Sequence, residues 1–373
     1  MNKKVALMLS VLVLGLSLLT YSAQAQGRQT PAAWPGSWHQ APDMFRIMSR
    51  FSAVYNPDQD RVYFLGGRLP DGSTSGEIFY FVVSTGAWSI TGEQLDTPVS
   101  NYQVAEIPYD PSGQTAYYII GGRTATGIYT TDVQVYYPNT NTATTLVTDH
   151  FPGGAYNPGG VVVVNDKIYV FGGFDGINMY TGTYVFDSYA PAGSRWTEWL
   201  CGDLPTGRSY ISTVAVGTLI YAMGGDEFVN PNLVPINDTV VLQTADPESC
   251  WLDGKMADLP EAVGDAPAVY IGENVLHSSI LVIGGIWPVP GPQVYRYRLA
   301  DDRWEAFPQM IYPRRNQAAV YIPSTSPGAG EGVAGVPGIW TFGGYVDRTA
   351  MTSSVEFFEN PATLPLFLPF ISR

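Results

Sequence analysis

The stretch Ile168-Tyr169-Val170-Phe171-Gly172-Gly173 decides the fold, because a short apolar strand that ends in two glycines recurs along the chain. Five further copies stand at residues 62–67 (VYFLGG), 118–122 (YIIGG), 221–225 (YAMGG), 281–285 (LVIGG) and 340–344 (WTFGG). The glycine pairs begin at residues 66, 121, 172, 224, 284 and 343, so successive copies lie 55, 51, 52, 60 and 59 residues apart. Repeats of this kind are typical of stacked or radially arranged units. The sequence therefore predicts a repeat architecture with one continuous core.

Each interval between glycine pairs contains the same four short strands. In the fifth unit, an apolar stretch at 266–271 precedes the strand that ends at Gly284, and two more strands follow around Tyr297 and Trp304. The apolar runs are rich in Val, Tyr, Thr and Phe, which favour strands, and no long helical periodicity is present. Four antiparallel strands per unit predict one blade of an all-β propeller.

The spacing of aromatic residues resembles the kelch-repeat family. Its units carry a diglycine after the second strand, an aromatic about thirteen residues later and a tryptophan about six residues beyond that. Here 13 residues separate Gly67 from Phe81, and 6 separate Phe81 from Trp88. The resemblance covers about residues 34–360. With six copies of the unit, it implies a six-bladed propeller of the kelch type, the family that includes the central domain of secreted galactose oxidase.

The start of the chain repeats the end of a blade. Residues 38–55 align without gaps on residues 304–321, and the sixth unit has no tryptophan seven residues after Phe358. We therefore expect the segment around Trp38 to supply the outer strand of the sixth blade. Such a closure removes the open sheet edge that would otherwise favour aggregation.

The first 25 residues have the form of a secretory signal peptide. Lys3 and Lys4 precede an uncharged apolar run at 5–19 and a small-x-small site that ends at Ala25. The run is shorter than the roughly 20 residues that a spanning helix needs. We therefore expect cleavage after Ala25, a secreted or cell-surface protein, and no membrane span after signal removal.

Three segments follow from these boundaries, namely a signal peptide at 1–25, a propeller at 26–363 and a tail at 364–373. The tail is apolar and rich in proline, which is compatible with a last edge strand or with a sorting signal. One repeat domain is expected despite the length, because repeat folds extend a single core by adding units.

The charge balance argues against a nucleic-acid partner. The chain has 19 basic and 33 acidic residues, for a formal net charge of −14. Removal of Lys3 and Lys4 makes the mature chain still more acidic. An acidic surface repels a phosphate backbone, so only a local cluster of arginines would bind an anion.

The two cysteines, Cys201 and Cys250, each lie near a tryptophan at the end of a repeat. In an oxidising compartment we expect a disulfide that joins consecutive units, with two buried free thiols as the alternative. The three histidines, His39, His150 and His277, do not have the spacing of metal ligands. We expect neither a metal nor another cofactor.

The loops that lead into the innermost strands and those that leave the glycine pairs share one face in the kelch arrangement. Six arginines fall on these loops: Arg50, Arg68, Arg123, Arg208, Arg314 and Arg315. Guanidinium groups bind carboxylates in a bidentate manner, so this face predicts an anionic ligand. Aromatic residues on the same loops would add stacking surfaces: Tyr102, Tyr156, Tyr210, Trp287 and Tyr345. The alternative is that the arginines pair with Asp226, Asp265 and Asp347 and hold the loops.

These features favour a monomeric binding module for a protein or glycan ligand over an enzyme. The alternative is a carbohydrate-active enzyme similar to kelch proteins that epimerise or mutarotate sialic acid, with Glu106, Glu227 or Asp265 as acid or base. Copper chemistry of the galactose-oxidase kind needs two histidine ligands, which the sparse histidines do not supply. Fold alone does not give function, so the choice depends on the site.

Overall fold

The computed structural model describes residues 36–272, 278–323 and 336–359. The predicted signal peptide at 1–25, the first residues of the predicted propeller, His277 and the tail at 364–373 lie outside the described residues. In the described part of the chain, no helix is long and apolar enough to cross a membrane.

The strands follow the chain in sets of four, after a first strand, β1 (Trp38–Ala41). Blade one contains β2 (Ala53–Asn56), β3 (Arg61–Arg68), β4 (Thr74–Val82) and β5 (Ala87–Gln94). Blade two contains β6 (Val104–Ile107), β7 (Ala116–Ile120), β8 (Val133–Tyr137) and β9 (Thr142–Thr145). Blade three contains β10 (Asn157–Val164), β11 (Lys167–Phe174), β12 (Met179–Asp187) and β13 (Trp196–Glu198). A short 3-10 helix, Pro57–Gln59, links β2 to β3.

Blade four contains β14 (Ser212–Val216), β15 (Leu219–Met223), β18 (Thr239–Gln243) and β19 (Leu252–Asp253), with an inserted hairpin of β16 (Asp226–Val229) and β17 (Asn232–Pro235). Blade five contains β20 (Ala268–Ile271), β21 (Ser279–Ile283), β22 (Val294–Arg298) and β23 (Arg303–Phe307). Blade six contains β24 (Ala318–Ile322), β25 (Gly338–Phe342) and β26 (Val355–Glu359), and β1 is its fourth strand. The predicted all-β, six-bladed propeller with four antiparallel strands per blade is confirmed.

The N-terminal strand closes the ring, as the sequence predicts. β1 pairs antiparallel with β26, and Trp38 lies opposite Phe358. The Trp38 indole N–H donates a hydrogen bond to the carbonyl of Pro308 at 2.7 Å, and the side chain is only 5% exposed. One end of the described chain therefore completes the blade that is built from the other end.

The glycine pairs hydrogen-bond each blade to the next. The second glycine donates its N–H to a carbonyl in the segment that leads into the following blade, and the bond from Gly344 to Met48, at 2.8 Å, joins blade six to blade one. The first glycine has no room for a side chain. A Cβ on Gly224, where φ is +58°, would lie 2.3 Å from the carbonyl oxygen of Val263. Glycine alone combines this φ with so close an approach.

The expectation that every second strand ends at its glycine pair is wrong in two blades. β3 continues to Arg68 and β11 continues to Phe174, each with a register shift at the glycines. In blade one, Gly66, with a left-handed φ of +65°, lies opposite two residues of β4, and the ladder resumes at Gly67 beyond this bulge. In these blades the residue after the pair is therefore held by the sheet.

Aromatic side chains fill the space between blades, as expected. Every pair of neighbouring blades has a ring contact with centroids 4.7–6.5 Å apart: Tyr63–Tyr117, Tyr118–Phe186, Phe171–Trp251, Tyr221–Tyr297, Phe307–Phe358 and Phe81–Trp340. The predicted disulfide between Cys201 and Cys250 is also present and joins the outer edges of blades three and four. Side-chain packing and one covalent bond thus add to the backbone contacts between blades.

Candidate functional site

The innermost strands of all six blades surround a central cavity of about 240 Å³. Five residues mark the end at which these strands begin, which we call the mouth: Arg50, Asn101, Tyr210, Asp265 and Asn316. All five line the cavity, and all have a positive φ, between +52° and +60°. Such backbone costs a non-glycine residue about 1–3 kcal/mol and is found preferentially at functional sites. These features make the mouth the candidate ligand site.

The backbones of the five mouth residues are joined to one another by hydrogen bonds. The Asn101 N–H donates to the carbonyl of Arg50 at 3.1 Å, and the Arg50 N–H donates to Asn316 at 2.8 Å. The chain continues from Asn316 to Asp265 at 2.8 Å and from Asp265 to Tyr210 at 3.3 Å. These bonds fix the positions from which the side chains at the mouth project.

Blade three interrupts this series, and Gln103 of blade two fills the gap. Blade three has Pro158, which lacks an N–H, followed by Gly159, which offers bare backbone. The Gln103 amide donates to the carbonyl of Gly159 at 3.3 Å. Its oxygen accepts from the Val161 N–H at 3.1 Å and from the Thr213 hydroxyl at 3.2 Å. One side chain thus links three blades across the cavity wall.

The residue after each glycine pair is also brought to the mouth. In every blade its backbone pairs with the segment that leads into the innermost strand, for example Arg68 with Ser49 and Tyr345 with Arg315. The six residues so placed are Arg68, Arg123, Phe174, Asp226, Ile286 and Tyr345. Two of the predicted site arginines therefore lie beside the mouth through backbone pairing.

Arg50 and Arg315 both lie close to the Tyr345 ring. The guanidinium carbon of Arg315 is 4.2 Å from the ring centroid and that of Arg50 is 5.6 Å from it, while Trp287 covers Arg315 at 4.4 Å. Arg50 donates to the side-chain oxygen of Asn101 at 2.8 Å, and Arg315 donates to that of Asn316 at 2.7 Å. Neutral amides and aromatic rings thus surround both cations, and the Asp265 carboxylate lies 3.8 Å from Arg315.

The pKa shifts of Arg315 and Tyr345 show that Arg50 and Arg315 create a positive potential around the Tyr345 ring. Burial lowers the pKa of Arg315, Asp265 opposes that effect, and the nearby charge of Arg50 lowers the pKa further. Burial alone would raise the pKa of Tyr345, but Arg50, Arg68 and the hydrogen bonds to its oxygen outweigh burial and lower it. The two arginines therefore repel each other, and an anion between them would relieve that repulsion.

Arg68 and Arg123 extend the positive site toward blades one and two. Both side chains are half-buried, and in the described chain neither forms an ion pair. The guanidinium of Arg123 lies 5.8 Å from the Tyr129 ring, and its Nε donates to the carbonyl of Gly127 at 3.4 Å. Both Arg123 and Arg50 counteract the rise in the pKa of Tyr129 that burial causes. Four of the six predicted arginines are therefore brought together.

Arg208 and Arg314 are placed differently, since both are fully buried and engaged. Arg208 lies 2.7 Å from the Asp238 carboxylate and donates to the carbonyl of Gly224 at 3.1 Å. Arg314 lies 2.7 Å from the Glu356 carboxylate and donates to two backbone carbonyls at 2.8 Å each. Each arginine ties the segment before an innermost strand to a loop of its own blade. Neither guanidinium group is therefore accessible to a ligand at the mouth.

Four of the five aromatic residues expected to offer stacking surfaces lie at the mouth or along the cavity, and the fifth does not. Trp287 and Tyr345 cover Arg315, and Tyr102 and Tyr210 line the cavity. Tyr156 is 1% exposed and stacks on the Tyr180 ring at 4.3 Å, so it belongs to the core.

Two aspartates at the mouth differ in their bonding. Asp265 accepts a hydrogen bond from the Asn316 amide at 2.5 Å and lies 3.8 Å from Arg315, which is one of the pairings the sequence suggested. Asp226 is fully buried, and neither carboxyl oxygen has a hydrogen-bond partner among the described residues. Burial and the nearby charge of Asp265 raise the pKa of Asp226 well above its usual value. Asp226 is thus a buried acid beside the arginines.

The other two acids that the sequence suggested lie elsewhere. Glu227 belongs to the inserted hairpin of blade four, and Glu106 lies three positions along the innermost strand of blade two from Gln103, away from the mouth. No set of three or more His, Cys, Asp or Glu side chains suited to a metal ion occurs within residues 36–272, 278–323 and 336–359.

Comparison with known proteins agrees with this architecture. A family profile described as "KLHDC2/KLHL20/DRC7 Kelch-repeats domain" matches residues 52–285, more than half of the chain. The "Kelch-like protein terF" of Aspergillus terreus is 27% identical over 380 residues, which cover 95% of this chain and 74% of that protein. The "Rho GTPase-activating protein gacHH" of Dictyostelium discoideum is 28% identical over 130 residues, 33% of this chain and 8% of that protein.

Among solved structures, the one described as "Structure of YjhT" superposes with a TM-score of 0.63 at 15% identity, covering 84% of this chain and 95% of that chain. At this identity the likeness shows the fold alone. The profile match over more than half of the chain shows the family. The chain belongs to the kelch-repeat family of β-propellers.

Proposed function

We propose that this propeller is a binding module that takes an anionic group of a protein or glycan ligand at its mouth. The observation that carries the proposal is the placement of Arg50 and Arg315 beside Tyr345, where both donate to neutral side-chain amides and the carboxylate within ion-pair distance, that of Asp265, lies 3.8 Å from Arg315. Kelch propellers typically bind proteins, so a carboxylate on a protein is the first ligand to consider.

The charge of the mouth supports an anionic ligand on an otherwise acidic chain. Four arginines gather there, Arg50, Arg68, Arg123 and Arg315, against the carboxylates of Asp265 and Asp175. Asp226, with its raised pKa, carries less negative charge than an exposed aspartate would. Guanidinium groups that are already partly desolvated lose little more water when a carboxylate binds.

The surroundings of the mouth favour a macromolecular ligand. The loops that leave the glycine pairs of blades two to five each carry an exposed apolar side chain: Ile128 (66%), Ile177 (74%), Val229 (57%) and Val289 (61%). Apolar residues grouped around a polar centre are typical of interaction sites. A small ligand in the cavity would not contact them, whereas a protein or an extended glycan would.

Secretion or display at the cell surface is part of the proposal. It is supported by the signal-peptide pattern at 1–25 and by the bond between Cys201 and Cys250, because disulfides persist in oxidising compartments. The proposed monomeric state is tested by light scattering of the secreted protein.

The test compares wild type with the Arg50→Gln/Arg315→Gln double variant on acidic peptides, acidic glycans and their neutral counterparts. Loss of both guanidinium groups should weaken binding of the acidic ligands at least tenfold and leave neutral ligands unaffected. Arg303→Gln is the matched control, because its side chain is 59% exposed on an outer strand. Equal binding by wild type and the double variant would refute the proposal.

A second double variant tests the same site in case the Arg50→Gln/Arg315→Gln variant does not fold. Arg68 and Arg123 are half-buried and without ion pairs in the described chain, so their replacement by glutamine should leave the fold intact. The Arg68→Gln/Arg123→Gln variant should bind acidic ligands more weakly and with a smaller dependence on salt. Unchanged affinity and salt dependence would remove these two arginines from the site.

One observation favours an enzyme as the second candidate. Asp265 faces the cavity, and Asp226, an acid with raised pKa, lies near it beside two carboxylate-binding arginines. Such a pair suits proton transfer on a sugar acid, as in an epimerase or mutarotase. Proton NMR of anomeric exchange in acidic sugars tests it. Exchange that is no faster with wild type than with Asp265→Asn would exclude this candidate.

A further inference from the structure

Below the residues that line the central cavity, the innermost strands carry a second layer of side chains. Burial alternates along the innermost strands of blades one, two, five and six. The cavity wall includes a side chain at the corresponding position of every innermost strand: Ala53, Val104, Val161, Thr213, Ala268 and Ala319. Side chains two residues apart on a strand face the same way. The next layer therefore contains Tyr55, Glu106, Val163, Ala215, Tyr270 and Tyr321, all of them half-buried. We call these six residues the lower layer.

Glu106 is the one acidic residue of the lower layer. No hydrogen bond or ion pair joins its carboxylate to any described residue, and it remains partly exposed. Tyr117, which lies opposite Glu106 on the neighbouring strand, accepts a hydrogen bond from the Asn56 amide at 2.9 Å, so the Tyr117 hydroxyl already has a partner of its own. Burial and the nearby charge of Asp58 raise the pKa of Glu106 to about 7. Among the described residues, no arginine or lysine forms an ion pair that would balance the charge of ionised Glu106.

The chemistry of the lower layer suits an organic cation better than a metal ion. A calcium site needs six or more oxygen ligands, and magnesium also needs several. The described residues offer no set of three acidic or metal-binding side chains here or elsewhere. Tyrosine rings attract ammonium groups through their negative faces, and a partly buried carboxylate supplies the counter-charge.

We propose that the lower layer binds an alkylammonium group, with Glu106 as its counter-ion and Tyr55, Tyr270 and Tyr321 as aromatic walls. The ammonium enters from the face opposite the arginine mouth, so this site is independent of the proposed anion site. The channel then has a cationic end and an anionic end.

The proposal makes a quantitative prediction about pH. An alkylammonium group stays charged up to about pH 10, so Glu106 is the group that titrates. With a pKa of about 7, Glu106 is roughly 9% ionised at pH 6 and roughly 91% ionised at pH 8. Affinity for an alkylammonium ion should therefore rise about tenfold between these two pH values.

The experiment titrates butylammonium chloride into the mature protein and follows binding by calorimetry at pH 6 and pH 8. Wild type should show the tenfold rise, and Glu106→Gln should lose binding at both pH values. Glu198→Gln is the control, because Glu198 is exposed on an outer strand. Thermal unfolding of each variant checks the fold, which Glu106→Gln leaves intact since glutamine keeps the shape and removes a desolvated charge.

Three results would overturn the proposal: equal binding by wild type and Glu106→Gln, binding that does not change with pH, or equal loss in Glu198→Gln. A parallel titration with acetyl-lysine methylamide identifies the source of the ammonium group. Tighter binding than butylammonium would point to a lysine side chain of a protein, and weaker binding would point to a small amine.

Discussion

Replacement of Trp38 by alanine should destabilise the whole propeller, because this residue fixes the strand that closes the ring. The side chain is 5% exposed, and its N–H bonds to the carbonyl of Pro308 at 2.7 Å. Truncation of a buried tryptophan costs about 3–5 kcal/mol. The orphaned carbonyl adds little, since water reaches an outer strand. We therefore expect a loss of about 4 kcal/mol in the free energy of unfolding.

This loss translates into a shift of the melting temperature. An unfolding entropy of about 2.1 cal/mol/K per residue, over roughly 300 ordered residues, gives about 0.6 kcal/mol/K. A loss of about 4 kcal/mol then lowers the melting temperature by about 6 °C. Calorimetry measures the shift, and denaturant unfolding monitored by two probes checks that the transition is cooperative.

Trp304→Ala is the matched control for ring closure. Trp304 occupies the same place in blade five, and its N–H donates to the carbonyl of Ala257 at 2.7 Å, but its strand is continuous with its blade. Both variants should melt at lower temperature. Only Trp38→Ala should also increase amide exchange in β1 and β26. A shift below 1 °C, or unchanged exchange in both strands, would refute the closure argument.

Three further predictions concern the glycine pairs, the disulfide and the buried acid. Gly224→Ala should lower the free energy of unfolding in urea by about 2–4 kcal/mol, because the added Cβ overlaps its neighbours and φ is left-handed. Gly217→Ala is the control: with φ +60° and no atom within 4 Å of the added Cβ, it should lower the free energy of unfolding by only about 1 kcal/mol. Removal of the disulfide by Cys201→Ser/Cys250→Ser should cost about 4 kcal/mol, as expected for a separation of 49 residues. The folded-state pKa of Asp226 is raised, so its contribution to the stability of the fold is fully present below the unfolded pKa of about 3.9 and is lost as pH rises through the folded pKa. The free energy of unfolding of wild type, relative to that of Asp226→Asn, should therefore fall with rising pH when both are unfolded chemically.

The fold could be predicted from the sequence because its determinants are local and repeated. The glycine pairs, the strand pattern around them and the gapless match of residues 38–55 to 304–321 are visible in one chain. The hairpin of β16 and β17 was not predicted, since its residues belong to one blade only and repeat nowhere else. Likewise, the bulge that carries β3 past its glycines depends on backbone pairing with the next strand.

The candidate site was predictable only in part. Its arginines are the same residue type, and they differ only in how many residues they stand before the cavity-facing residue of the innermost strand. Arg50 stands three residues before Ala53, a cavity-facing residue of the innermost strand, and lines the mouth. Arg208 and Arg314 stand five residues before the equivalent positions and are buried with carboxylates. A shift of two residues thus separates a side chain at the cavity from one inside the blade.

The same offset would have identified the mouth residues that sequence reasoning missed. Asn101 and Asn316 each stand three residues before a cavity-facing residue, as Arg50 does, and their side chains accept hydrogen bonds from Arg50 and Arg315. Amides carry no charge, so charge alone does not single them out in the sequence as parts of an anion site. Their role is apparent only once the strands are in register.

Backbone groups join the blades, and side chains build the candidate site, so one repeated scaffold can carry a site that differs from blade to blade. The contacts that join blades at the glycine pairs use N–H and carbonyl groups, as between Gly344 and Met48, and so do the bonds between mouth residues. The side chains at the mouth and just after each glycine pair are therefore free to differ from blade to blade. Arg50, Arg315 and Tyr345 meet because two neighbouring blades contribute unlike residues at equivalent places. Replacement of these side chains should consequently alter ligand binding far more than it alters the assembly of the ring.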